Sequence, residues 1–169
     1  MKAIISAIIT AALMVMSGAN AYEPLPEYRV LRFNGDGMSD TILDGEIIVC
    51  DMDAEVERGD IVIYTRNEAV YVGRVVAIPG DKVYRTNGVT HVLYDGRDEA
   101  LDARYELYFP NGNEYDYPEC TIADGECFIV GDNRYNSKDS REWMNSTPED
   151  DIGPIPYASV LGVVIGKGK

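Results

Sequence analysis

The chain has 169 residues, with 29 acidic and 15 basic side chains and a formal charge of −14 at neutral pH. Such an acidic surplus argues against nucleic acid or an anionic lipid surface as partner, since both are held by Lys and Arg neutralising phosphates. The length suits one domain with a real core and is short for two.

In chain order, Lys2 precedes an apolar run from Ala3 to Met16, broken only by Ser6 and Thr10. Ala19-Asn20-Ala21 then has the small-x-small form of a signal-peptide cleavage site. A membrane span takes roughly 17–25 apolar residues, so the run is short for one. The expectation is a signal peptide over 1–21, cleaved after Ala21, with retention as an N-terminal anchor as the alternative. Residues 22–169 then form one exported domain, periplasmic or on the extracytoplasmic face of the membrane.

Strand signals dominate the remainder of the chain. YRVLRF (28–33), EIIVCDM (46–52), DIVIYTR (60–66), AVYVGRVVAI (69–78), THVLYDG (90–96), ECFIV (126–130) and VLGVVIG (160–166) are rich in Val, Ile and Tyr. Most are bounded by Gly, Asp, Asn or Pro. Only 98–105 and 140–145 have helical character. Many short strands separated by turns predict an all-β fold, a coiled sheet or barrel. The Tyr- and acid-rich stretch within 84–125 reads as a small inserted cap on the same domain. Its tyrosines, at 84, 94, 105, 108, 115 and 117, suit either a partner-binding face or solvated strand faces.

Three cysteines are present. Cys120 and Cys127 bracket an Asp124-Gly125 turn, so the expectation is a hairpin that brings them together as a disulfide in an oxidising compartment. Three buried thiols are the alternative. One histidine, His91, and no C-x-x-C argue against zinc. Asp36, Asp40 and Asp44 lack the spacing of a calcium loop and read as turn residues. Trp143 reads as a packing residue. No cofactor or metal is expected.

Four segments carry more specific information: GDGMSDTILDGEIIV (35–49), RGDIVIY (58–64), YVGRVVAIPGDKV (71–83) and FIVGDNRYNSKDSREW (128–143). In this order and spacing they resemble the boxes of the signal peptidase I family (peptidase S26), membrane-anchored Ser/Lys endopeptidases that remove signal peptides. GDNRYNSKDSR beside the family pattern GDNRxxSxDSR is the most specific of them, and the closing GPIPYASVLGVVIGK resembles the family's last strand. The resemblance covers roughly 28–83 and 126–166, and implies a signal peptidase I-like coiled β-sheet.

The resemblance also marks two departures. It puts the family's serine nucleophile at the position before Met38, which is Gly37, and the lysine base at the position before Arg74, which is Gly73. A serine hydroxyl attacks only when a base takes its proton, and a lysine serves only when burial lowers its pKa. Neither glycine supplies a hydroxyl or an amine. Ser39, two residues on, is about 6–7 Å away in an extended segment; Lys82 and Lys138 lie among charged or turn residues, and His91 lies outside the boxes. The expectation is a homologue without catalytic residues.

Other features of the site do not need those side chains. Backbone amides of the Gly35, Asp36, Gly37 and Met38 loop can still receive a peptide carbonyl. The resemblance makes Asp132, Asn133, Arg134, Ser137, Asp139 and Arg141 the loop that braces the site, although Ser137 has lost the lysine it would bond. The plainer reading of those six is a salt-bridged, amide-capped turn between strands. With glycine in place of a buried amine, a small void is expected at residue 73 and the desolvation penalty disappears.

Three functions remain in view. The first is a pseudo-peptidase that adds an extended peptide as a strand along the groove; its partners would be an extended peptide or exported protein, an active peptidase, or secretion machinery. The second is an active serine endopeptidase with relocated groups, and the third a structural exported protein with a closed groove.

Overall fold

The computed structural model describes residues 25–39, 41–101, 116–134, 137–141 and 153–168. The expected cleavage site, Asp40, Trp143 and the tyrosines at 105, 108 and 115 lie outside them.

Eleven strands run among the described residues: β1 (Tyr28–Arg32), β2 (Ile47–Asp51), β3 (Ile61–Arg66), β4 (Ala69–Ala77), β5 (Lys82–Thr86), β6 (Val89–Tyr94), β7 (Arg97–Ala100), β8 (Tyr117–Thr121), β9 (Glu126–Val130), β10 (Ile155–Pro156) and β11 (Val160–Gly168). They form a seven-stranded sheet in the order β1-β2-β11-β3-β4-β9-β10 and a four-stranded sheet in the order β7-β6-β5-β8. All pairings are antiparallel. The fold is all-β, as the turn spacing predicts.

Three hairpins owe their shape to pairs of left-handed residues: Asn67-Glu68, Asn87-Gly88 and Asp95-Gly96, with φ between 46° and 79°. Two consecutive residues at positive φ give the turn twist that flanking strands need. The last pair overturns the helical expectation over 98–101, the described part of 98–105. Asp95-Gly96 sends the chain back along β6, Arg97–Ala100 pairs with Tyr94–His91, and Leu101 N–H donates to Thr90 O at 2.8 Å. For 140–145, only Ser140 and Arg141 are described.

The smaller sheet, the expected insertion, shares its core with the larger. Val83, Val92, Tyr117 and Ile122 from the 82–122 stretch pack in one cluster with Val76, Ala77, Phe128 and Val130 of the large sheet. The two sheets are also latched by charge. Arg58 gives two 2.7 Å bonds to Asp81, and its guanidinium lies 3.8 Å over the Tyr94 ring. Asp81 is buried, and the charge-assisted bonds from Arg58 hold its carboxylate there.

The Cys120–Cys127 hairpin does not form. The Asp124-Gly125 turn is present, with Gly125 at φ 82°, but the segments it joins diverge: β8 pairs with β5 and β9 with β4 and β10. The reason lies at Ile122, whose N–H donates to Asp81 O and whose carbonyl accepts from Gly80, which fixes the chain where it leaves the small sheet. All three cysteines are free thiols, Cys50 and Cys127 fully buried.

Candidate functional site

The first box folds as a tight turn. Ser39 N–H donates to Asp36 O, and the Thr41 and Ile42 amides both donate to Met38 O, which drives the Met38 and Ile42 side chains into a core with Phe33, Ile48 and Ile63. Ser39 therefore sits in a turn and not in an extended segment. Gly35, at φ 131°, donates to the Asp44 carboxylate at 2.9 Å. Asp44 is thus a turn cap. Among the described residues the Gly37 amide has no acceptor.

This turn is clasped by the loop that follows β9. Asn133 N–H donates to Gly37 O at 3.0 Å, Asn133 Nδ2 donates to Asp36 O at 2.9 Å, and Asp132 N–H meets Met38 Sδ at 3.3 Å. Gly131 makes the approach possible. A Cβ there would lie 2.6 Å from Gly37 O and 2.7 Å from Ser137 Oγ, and closer still to Ser137 Cβ. Only a residue without a side chain fits.

Two carboxylates lock the clasp. Asp139 is almost fully buried and accepts from Gly131 N–H (2.9 Å), Ser137 Oγ (2.5 Å), Arg141 N–H (3.0 Å), Arg141 Nε (2.9 Å) and Arg141 Nη2 (2.8 Å). Burial alone would raise its pKa. The Arg141 charge and hydrogen bonds from Arg141, Ser137 and Gly131 outweigh it and hold the carboxyl below its ordinary value. Asp132 accepts from Arg74 Nε and Nη2 at 2.9 and 2.6 Å and from the Thr41 hydroxyl, with the same outcome against the same cost of burial. The partner of Asp132 is therefore Arg74, on β4. Arg134 instead donates to Leu101 O, and its own carbonyl accepts from Arg141.

The structure thus brings Gly35, Asp36, Gly37, Met38, Asp132, Asn133, Ser137, Asp139 and Arg141 into one clasp. Ser137 carries no free hydroxyl: it donates to Asp139 and accepts from Arg141 at 2.9 Å. Lys82 is bonded to Glu119 on the small sheet, and His91 stacks on Tyr84 and meets Asp98, on the same sheet. Of these alternatives only Lys138 reaches the groove.

Gly73 lies in the middle of β4, paired with Val62. The void expected there is filled. A Cβ on Gly73 would come 2.5 Å from Ile129 Cγ2, 3.2 Å from Val130 O and 3.5 Å from the Tyr64 ring. Ile129 and Tyr64 belong to a buried cluster with Val62, Val75 and Cys127. No pattern in the sequence signals that Ile129, one strand away, occupies this space.

Beside the clasp lies an open groove of about 570 Å³. Leu31 to Phe33 and the turn from Asn34 to Gly37 form one wall, Val70 to Val72 the other, Ile48 and Ile63 contribute apolar surface, and Ser137 and Lys138 also line it. On its β9 side, β4 is paired only from Arg74 onward. Among the described residues, no strand pairs with that edge over Ala69–Gly73. The groove therefore has a row of open backbone groups on one side and a glycine turn near it.

In class, this is an all-β domain with a groove bounded by a clasped glycine turn and an open strand edge. A family model for signal peptidase, peptidase S26, matches residues 1–166, and the chain belongs to that family. Relatives include signal peptidase I S of Bacillus subtilis (strain 168), 32% identical over 119 residues, covering 66% of this chain and 65% of the relative. Probable signal peptidase I-1 of Synechocystis sp. is 32% identical over 114 residues, 62% of this chain and 50% of the relative. Signal peptidase IB of Staphylococcus aureus is 29% identical over 140 residues, 73% of each chain. The chain thus spans between half and two thirds of the length of the first two. A crystal structure of a signal peptidase I from Enterococcus faecalis V583 superposes with a TM-score of 0.46 at 25% identity, covering 66% of this chain and 97% of that one.

Proposed function

We propose that this member of the signal peptidase family does not cleave and instead holds an extended peptide in its groove. The observation that carries this reading is Gly73. If the family's base belongs at that position, it is absent here, and Ile129 occupies the volume a side chain would need. At Gly37 the hydroxyl is missing too, while the amide stays uncommitted. The open β4 edge at Val70–Val72 suits a peptide added as a further strand, with main-chain bonds giving affinity and apolar surface taking alternate side chains. The domain acts on the extracytoplasmic side of the membrane in this reading, on an exported protein or beside a working peptidase or the secretion machinery; family membership supports that location.

The test uses the full purified chain and a fluorescent peptide carrying an Ala-x-Ala segment. Saturable binding without cleavage products is the expected result. Cleavage abolished by Ser39→Ala would establish a relocated enzyme, and absence of binding would favour a closed, structural role.

A further inference from the structure

The groove has a charge pattern unlike the rest of the molecule. The chain as a whole carries −14, yet among the described residues the charged side chains lining the groove are Arg32, Lys138 and Asp36, two cations and one anion. Arg32 is partly engaged, its Nη1 donating to Gly45 O at 3.0 Å. Lys138 is exposed, and among the described residues its ammonium has no hydrogen-bond or ion-pair partner.

Lys138 also lies close to the glycine turn. Ser137 Oγ and Gly37 O both lie within 2.7 Å of one point, the position a Cβ on Gly131 would take. Residues 137 and 37 are therefore neighbours across the clasp, and Lys138 follows directly on a segment fixed by Asp139. An unpartnered cation and the uncommitted Gly37 amide thus stand at the same groove. That donor set suits a carboxylate, which takes a charge-assisted bond from an ammonium and an amide N–H together.

Building on the non-cleaving reading above, we propose that the groove recognises a peptide by its free C-terminal carboxylate, with Lys138 and the Gly37 amide as the anion-binding groups. The occupant would be a chain that has already been cut, its end lying along β4 and its terminal oxygens at the glycine turn. Asp36 opposes the incoming anion. It also favours a single carboxylate over a peptide rich in acidic residues.

The experiment compares two fluorescent peptides of identical sequence ending in Ala-x-Ala, one with a free carboxylate and one with a C-terminal amide, titrated with the full chain. The free acid is expected to bind roughly tenfold more tightly, as charged hydrogen bonds usually allow. Lys138→Gln should remove that preference by weakening the free acid, and Lys138→Arg should keep most of it. Raising the salt should narrow the gap. Equal binding of acid and amide would overturn the proposal and leave the peptide groove standing. A preference that survives Lys138→Gln would overturn the role of the lysine. Binding of neither peptide would overturn both this proposal and the reading beneath it.

Discussion

Ile129 Cγ2 stands 2.5 Å from the point where a Cβ on Gly73 would be, on the strand next to it. The two residues are complementary: the glycine leaves room and the isoleucine fills it. Gly73→Lys should therefore destabilise the chain by about 1–3 kcal/mol through overpacking, with a further penalty for burying the amine. In an Ile129→Ala background much of that loss should disappear. Denaturant midpoints of the two single variants and the double give the coupling. Additive losses would show that the two side chains do not compete. Any attempt to restore cleavage with Gly37→Ser and Gly73→Lys should likewise fail until Ile129 is trimmed.

Gly131→Ala should cost about 1–3 kcal/mol as well, because its Cβ would meet Gly37 O and Ser137 together. Ser137→Ala should not rescue it, since the offending Ser137 Cβ stays. Thermal unfolding of the single and double variants checks this. Rescue by Ser137→Ala would mean that the hydroxyl alone sets the approach.

Asp139 makes stability depend on acid pH in a definite direction. Its folded carboxyl lies below the ordinary 3.8, so below that value the unfolded chain binds the proton first. The stabilisation is complete above about pH 4 and is lost as pH falls through the folded value. Asp132 shifts the same way and adds to the effect. Urea midpoints between pH 7 and pH 3 should fall for the wild type and flatten in Asp139→Asn. Asp139→Ala should cost about 3–5 kcal/mol at neutral pH, because it removes the buried acceptor shared by Gly131, Ser137 and Arg141. Parallel pH curves for wild type and Asp139→Asn would assign the acid sensitivity elsewhere.

The thiols should differ sharply in reactivity. Burial pushes Cys50 up to about 11 and Cys127 up to about 12, while Cys120 is only half-buried. The nucleophile is the thiolate, so brief alkylation of the native chain at pH 8 should label Cys120 first. Mass spectrometry should find one adduct before denaturation and three after. A mass lower by two hydrogens, with Cys120 and Cys127 both protected, would restore the disulfide.

Arg58→Lys should loosen the smaller sheet. Lysine cannot make the paired bonds to Asp81 while lying flat on Tyr94. Hydrogen exchange should rise in β5 and β6 and stay unchanged in β2 and β11. Uniform change across both sheets would argue against a local latch.

The sequence made the strands of the large sheet plain because Val, Ile and Tyr runs end at Gly, Asp or Asn turns. It also made the boxes around Gly37 and Asp139 plain, since their residue types occur in a distinctive order. The misses have a common cause in pairing. Arg97–Ala100 contains Asp and Glu and carries no strand signal of its own; it becomes a strand because Asp95-Gly96 lays it against β6. Cys120 and Cys127 flank a true turn, yet Ile122 and Asp81 commit the preceding segment to a different sheet. Arg74 as the partner of Asp132, and Ile129 as the occupant beside Gly73, are contacts between strands far apart in the chain. No local pattern announces them.

The stretch of β4 that no described strand pairs with has one more consequence. Val70 is 61% exposed there, and an uncovered strand of this kind is a template on which identical molecules can stack into filaments. Mutual repulsion between bodies of −14 charge works against that at low ionic strength. Concentrated salt removes the repulsion, so turbidity or light scattering should grow with ionic strength, and Val70→Lys should suppress the growth.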